Sequence, residues 1–145
     1  MKYKLEFIIN KPREEVWKAF DSTENLKQWQ PSLKKFELVS GTPGQPGAVS
    51  MLTYEENERE FSLTERITLR DEPGRFDSVF ENEFSDSLIK NTFIEKGASE
   101  TLWVSETTFR FKTLIMKIVG RLMKRNFVRR TYRDMERFKE FAENL

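Results

Sequence analysis

Histidine and cysteine are both absent from the chain, and each absence closes off a set of chemistries. Without cysteine there is no disulfide, no thiol nucleophile and no thiolate metal site, a composition that suits a reducing cytoplasm. Without histidine there is no Ser-His-Asp triad, no imidazole-ligated zinc and no side chain that ordinarily titrates near neutrality. Carboxylates, Lys, Tyr and Ser remain for any catalysis. Glycine is scarce, and half of it sits in Gly41-Thr42-Pro43-Gly44-Gln45-Pro46-Gly47. No strand runs into a helix there, so this is turn punctuation and not a phosphate-binding loop. No apolar run approaches the roughly 18 residues that span a bilayer, and the start, Met1 to Glu6, has no apolar signal region. The expectation is a soluble, cytoplasmic protein with no metal and no cofactor.

What the chain does have is aromatic bulk. Thirteen Phe and three Trp lie among 145 residues, and each such ring buries about 150–250 Å². A chain of this length forms one domain, residues 1–145, that hides roughly 70% of its unfolded surface. Its core is expected to be aromatic, with Trp17 part of it.

Hydrophobic periodicity gives the order of elements. Tyr3, Leu5, Phe7 and Ile9 alternate with Lys2, Lys4 and Glu6, the period of a strand with one buried face. Pro12 followed by Glu14 and Glu15 opens a short helix whose apolar stripe is Val16, Trp17 and Phe20. Ser22-Thr23-Glu24-Asn25 can cap a second short helix carrying Leu26 and Trp29, which Pro31 stops. Strands then resume: Lys35 to Ser40, Ala48 to Glu55, and a fourth with Phe61, Leu63, Glu65, Ile67 and Leu69 on one face. Asp71-Glu72-Pro73-Gly74 turns into a fifth strand with Phe76, Ser78, Phe80, Asn82 and Phe84 in phase. Leu88 to Glu95 and Thr101 to Phe111 complete an antiparallel meander.

The last third reads as one unbroken helix from Thr113 to about Asn144. Its roughly thirty residues span about 46 Å, against a body roughly 40 Å across, so it must cross the whole domain. Leu114, Ile115, Ile118, Val119, Leu122, Met123, Tyr132, Met135, Phe138, Phe141 and Ala142 recur at three- and four-residue steps, and the concave face of the sheet is the one surface large enough to bury them. Between Lys112 and Lys139 stand ten Lys or Arg and two acids, so the near-neutral total of +1 hides a basic helix on an acidic body.

This order of elements resembles the START-related, Bet v 1-like helix-grip superfamily, which includes polyketide cyclase/dehydrase-like proteins. The local matches are Ile9-Asn10-Lys11-Pro12-Arg13-Glu14-Glu15-Val16-Trp17, Leu26-Lys27-Gln28-Trp29-Gln30-Pro31, Leu122-Met123-Lys124-Arg125 and Asp134-Met135-Glu136-Arg137-Phe138-Lys139. The resemblance covers the whole chain. It implies an α+β helix-grip fold: a seven-stranded curved antiparallel sheet, two short helices after the first strand, and a long C-terminal helix across the concave face. It also implies a cavity between sheet and helix for a hydrophobic or amphipathic small molecule, lipid- or polyketide-like. Relatives include lipid carriers, hormone binders and a minority of cyclases and hydrolases.

The residues expected to line such a cavity are Trp29, at its mouth, with Phe61, Leu63, Glu65 and Ile67, Ser78, Phe80 and Asn82, Trp103, Ser105 and Thr107, and Ile115, Val119 and Leu122 on the helix. Glu65 carries the sharpest chemistry, because its phase puts a carboxylate on an apolar face where desolvation drives it toward neutrality. It either addresses a ligand head group or pairs with an arginine of the long helix, unless a bulge shifts the phase. The inward Ser, Thr and Asn groups either orient one polar end of a ligand or bond to each other and to water. Trp29 either contacts ligand or packs the core.

The reading is a binding protein with no chemistry of its own. A cyclase, dehydratase or hydrolase using Glu65, with Tyr54 or Ser105, is the alternative. The basic helix is first a solvated face; second, a surface for anionic lipid or a protein partner, with Ile115, Met116, Val119 and Met123 set among Lys117, Arg121, Lys124 and Arg125. Nucleic acid ranks last, since an acidic body repels a polyanion and no recognition motif accompanies Arg129, Arg130, Arg133 and Arg137.

Overall fold

The structure, a computed structural model, describes residues 1–145. Seven antiparallel strands form a single curved sheet: β1 (Lys2–Ile9), β2 (Leu33–Ser40), β3 (Val49–Glu56), β4 (Arg59–Asp71), β5 (Arg75–Glu81), β6 (Ser85–Gly97) and β7 (Glu100–Phe111). Their spatial order is β1-β7-β6-β5-β4-β3-β2, so everything from β2 to β7 is a meander and β1 closes on the last strand. Between β1 and β2 stand α1 (Arg13–Asp21), a 3₁₀ turn at Thr23–Asn25 and α2 (Leu26–Trp29). The predicted Ser22 cap makes no side-chain hydrogen bond; instead Asn25 Nδ2 donates to the Ala19 carbonyl at 3.1 Å, tying the two short helices together.

Alternation along the strands aims one row of side chains at the helices. In β1 this row is Tyr3, Leu5, Phe7 and Ile9, and in β7 it is Trp103, Ser105, Thr107, Phe109 and Phe111, as the periodicity predicts. In β4 the register slips between Ile67 and Leu69. The extra residue turns the strand over, because side chains alternate faces with a period of two. Arg70, not Leu69, therefore reaches the helix side, where it forks onto Asp21 with contacts of 2.5 and 2.8 Å and lies over the Trp17 ring. The bulge falls beyond Glu65, whose inward direction is preserved.

The C-terminal helix is not continuous. α3 (Leu114–Leu122) and α4 (Lys124–Glu143) meet at Met123, whose backbone has φ −96° and ψ 5°. Neither Pro nor Gly sits at the break, which is why nothing in the sequence marks it. Thr113 opens α3 by accepting a hydrogen bond from the Met116 N–H at 3.1 Å. Twenty residues of α4 span about 30 Å.

Packing divides α4 along its length. Its C-terminal half buries Met135, Phe138 and Ala142 against Ile9, Val16, Trp17, Ala19, Trp29, Phe93 and Trp103, one continuous core. Trp103 and Phe138 stand edge-on at 5.0 Å and Phe20 meets Phe93 at 5.1 Å, separations at which aromatic pairs gain beyond area burial. Burying a ring such as Phe138 contributes about 1.5–3 kcal/mol. The other half of α4 is not packed down this way, and a cavity opens beneath it.

Candidate functional site

The cavity has two lobes, about 430 and 400 Å³ in volume. Gln30, Phe80, Ile89, Thr131 and Asp134 border both, so the lobes adjoin under α4. Lobe one lies between α2, α4 and the middle of the sheet; lobe two lies between α3, the start of α4 and the strand ends. Together they have the size and apolar lining of small-molecule sites.

Of the residues expected at the site, Trp29, Glu65, Ile67, Ser78, Trp103 and Ser105 line lobe one. Phe61, Leu63, Asn82, Thr107 and Val119 line lobe two, and Phe80 lies between. Ile115 and Leu122 do not belong to the cavity: they stand 69% and 82% exposed on the outer side of α3. Helical phase accounts for this: at about 3.6 residues per turn Ile115 and Leu122 fall away from the side of Met135 and Phe138, and α3 presents Met116, Val119 and Gly120 inward with Met123 beside them. Gly120 sets how close α3 comes, since a Cβ there would fall 2.2 Å from the Phe111 ring. Trp29 is wall and not mouth; it is buried against Phe20, Trp103 and Phe138. The Asn82 side-chain oxygen accepts from the Phe84 and Ser85 backbone N–H groups at 2.8 and 2.9 Å, so it fixes the β5–β6 turn.

Glu65 is the chemical centre of lobe one. It makes no ion pair; of the five arginines of α4, Arg130 pairs with Glu56 and Arg137 with Asp134, and none pairs with Glu65. Its neighbours in register are Ser50 and Phe80. Its surface opens to the cavity and not to bulk water, and this desolvation pushes its carboxyl up to about 7. The Ser78 hydroxyl, two residues from Phe80 on the adjacent strand, pulls the other way and its Oγ is otherwise unpartnered, but desolvation is the larger cause. The Trp29 Nε1 and Thr107 Oγ1 are likewise unpartnered. Trp103 is satisfied, donating to Asn91 Oδ1 at 2.9 Å.

A second carboxylate emerges from α4. Asp134 borders both lobes, and burial pushes it up to about 6 although Arg130 and Arg137 pull it down. In the sequence it stands as one of two acids on a basic helix and within the Asp134 to Lys139 match, with no site role. The signal was available: Thr131, Asp134, Met135 and Phe138 follow the i, i+3, i+4, i+7 rule of one helix face. Tyr54 lies within the influence of both carboxylates; burial, and then their charge, raises its hydroxyl, which donates to Gln30 Oε1 at 2.8 Å. No group of three or more acidic side chains converges as a metal site would require, and no helix is long and apolar enough to cross a membrane.

A curved antiparallel sheet wrapped about a C-terminal helix, with a cavity between them, defines the helix-grip class. The chain belongs to the family described as polyketide cyclase / dehydrase and lipid transport, whose model matches residues 2–143. No curated protein sequence matches it. Among solved structures it is similar to Ara h 8.0201, with a TM-score of 0.81 and 18% identity over 100% of this chain and 99% of that one. It is similar to the ZhuI aromatase/cyclase of a Streptomyces species, with a TM-score of 0.78 and 13% identity over 99% and 93%. Major latex-like protein 151 of Panax ginseng gives a TM-score of 0.72 and 13% identity over 98% and 97%. At identities this low the structural likeness establishes the common fold alone.

Proposed function

We propose that the protein binds and carries a hydrophobic or amphipathic small molecule, lipid- or polyketide-like, in the two-lobed cavity. The observation that carries this reading is an apolar cavity lined by a buried carboxyl, Glu65, that no cation of the protein pairs with. A buried polar group without a partner costs free energy that a ligand hydroxyl or carbonyl recovers. Ser78 and Trp29 offer further hydrogen bonds from the same lobe, while the rings of lobe two supply area for an apolar body. Carriage agrees with the lipid transport in the family's description.

Native mass spectrometry of the gently purified protein tests it. The expected spectrum contains a one-to-one adduct whose mass disappears on denaturation and is recovered in the organic extract. A spectrum of bare protein only, under conditions that also fail to load an added fatty acid, would sink the reading.

A second reading draws support from the two carboxyls. Glu65 and Asp134, both raised toward neutrality, bracket one cavity, the arrangement general acid–base chemistry uses for cyclisation or dehydration. An extracted adduct that the protein converts on standing, and that Glu65→Gln leaves unconverted, decides for this reading.

A further inference from the structure

The outer side of α3 faces water with Leu114, Ile115, Ile118 and Leu122, which are 73%, 69%, 54% and 82% exposed. Four aliphatic side chains within nine residues is a large apolar load for one surface helix. The inner side is already occupied with the cavity and with Phe111, so the helix has no further core to bury them in. Beside this row runs a groove of about 550 Å³, in which Arg110, Lys117, Arg121 and Lys124 surround Phe109 and Phe111. None of these four cations makes an ion pair, whereas Lys112, Arg130, Arg137 and Lys139 all do. From Lys112 to Arg133 the sequence contains no acid at all.

We propose that α3 docks the protein on an anionic lipid bilayer, its Leu and Ile row entering the headgroup boundary while the adjacent cationic groove receives lipid phosphates. Charge decides among the occupants. A second copy of the chain meeting this face about a two-fold axis would set unpaired cations against unpaired cations with no acid between them. A helical peptide partner needs an apolar groove, and the groove beside this row is lined by four cations. An anionic leaflet offers apolar depth and negative charge side by side, as interfacial helices require. The surface differs from the one the sequence suggests. Met116, Val119 and Met123 turn toward the cavity, and Leu114, Ile118 and Leu122 take their place beside Ile115. The docking face and the wall of lobe two are therefore opposite sides of one short helix. Docking stands on its own observations and does not depend on what the cavity holds.

Flotation with phosphatidylcholine vesicles, with and without about one-third phosphatidylserine, tests this at low salt and at about 1 M salt, where the screening length is about 3 Å. The expected result is flotation with the anionic vesicles only, most of it lost at high salt. Lys117→Ala with Arg121→Ala weakens association about 30-fold, the share of two basic side chains at an anionic surface. Ile118→Ser with Leu122→Ser abolishes flotation while circular dichroism stays native, both side chains being exposed. Absence of flotation with anionic vesicles overturns the proposal, as does flotation that neither double variant changes. A concentration-dependent dimer that Ile118→Ser with Leu122→Ser dissolves, with no flotation, assigns the face to a second copy instead.

Discussion

Glu65 and Asp134 are held at a cost that depends on pH. In the unfolded chain they titrate near 4.5 and 3.8, whereas burial moves them to about 7 and about 6 in the folded protein. The unfolded state therefore releases these protons first, and stability falls as pH rises from about 4 to about 7. Glu65→Gln removes one of the two ionisations. Urea denaturation at pH 8 is expected to find the variant more stable than the parent by about 1–3 kcal/mol, with little difference at pH 4. Equal midpoints at both pH values would mean that Glu65 is solvated and not addressed to a ligand. The inward phase of Glu65 was legible because β4 keeps its alternation up to Ile67. Whether it had a partner was not, since pairing depends on where α4's arginines fall in space: Arg130 reaches Glu56 on β3, and Arg137 turns back to Asp134 on its own helix.

At the scale of elements, α3 is held by one close approach. Gly120 is the buried residue of this helix, and it lets the backbone lie on the Phe111 ring. Gly120→Ala gains intrinsic helix propensity of about 1 kcal/mol, yet the new methyl must displace a ring seated 2.2 Å away. Overpacking of this kind costs about 1–3 kcal/mol. The expected outcome is a lower thermal midpoint with faster amide exchange confined to α3; a rise in midpoint would show the helix free to lift. The strands were readable from period two and turn residues, with the inward rows of β1 and β7 and of β4 as far as Ile67; the bulge that turns Leu69 away was not. The break at Met123 was not, because the apolar three-and-four spacing runs through it and no Pro or Gly interrupts. Ile115 and Leu122 stand on the outer surface and not in the expected cavity wall, because helical phase sets them away from the side of Met135 and Phe138.

For the molecule as a whole, burial is unequal by design of the sequence. Aromatic side chains from α1, α2, β6, β7 and the C-terminal half of α4 close one end of the grip into a solid core. At the other end, polar groups at Glu65, Ser78, Ser105 and Asp134 alternate with rings where a packed core would place aliphatics, and the interior stays open. A sequence pattern conveys which residues face inward; it does not convey whether facing rows touch, and the cavity is the gap where they do not. Filling that gap tests the account most directly. The neutral dye N-phenyl-1-naphthylamine is titrated into wild type and into Ser78→Phe, with energy transfer from Trp29 and Trp103, which border lobe one, as the signal. Saturable one-to-one binding is expected of wild type, with its loss in a Ser78→Phe variant whose circular dichroism is native. Absence of saturable binding by wild type, or binding that Ser78→Phe leaves unchanged, would contradict the account.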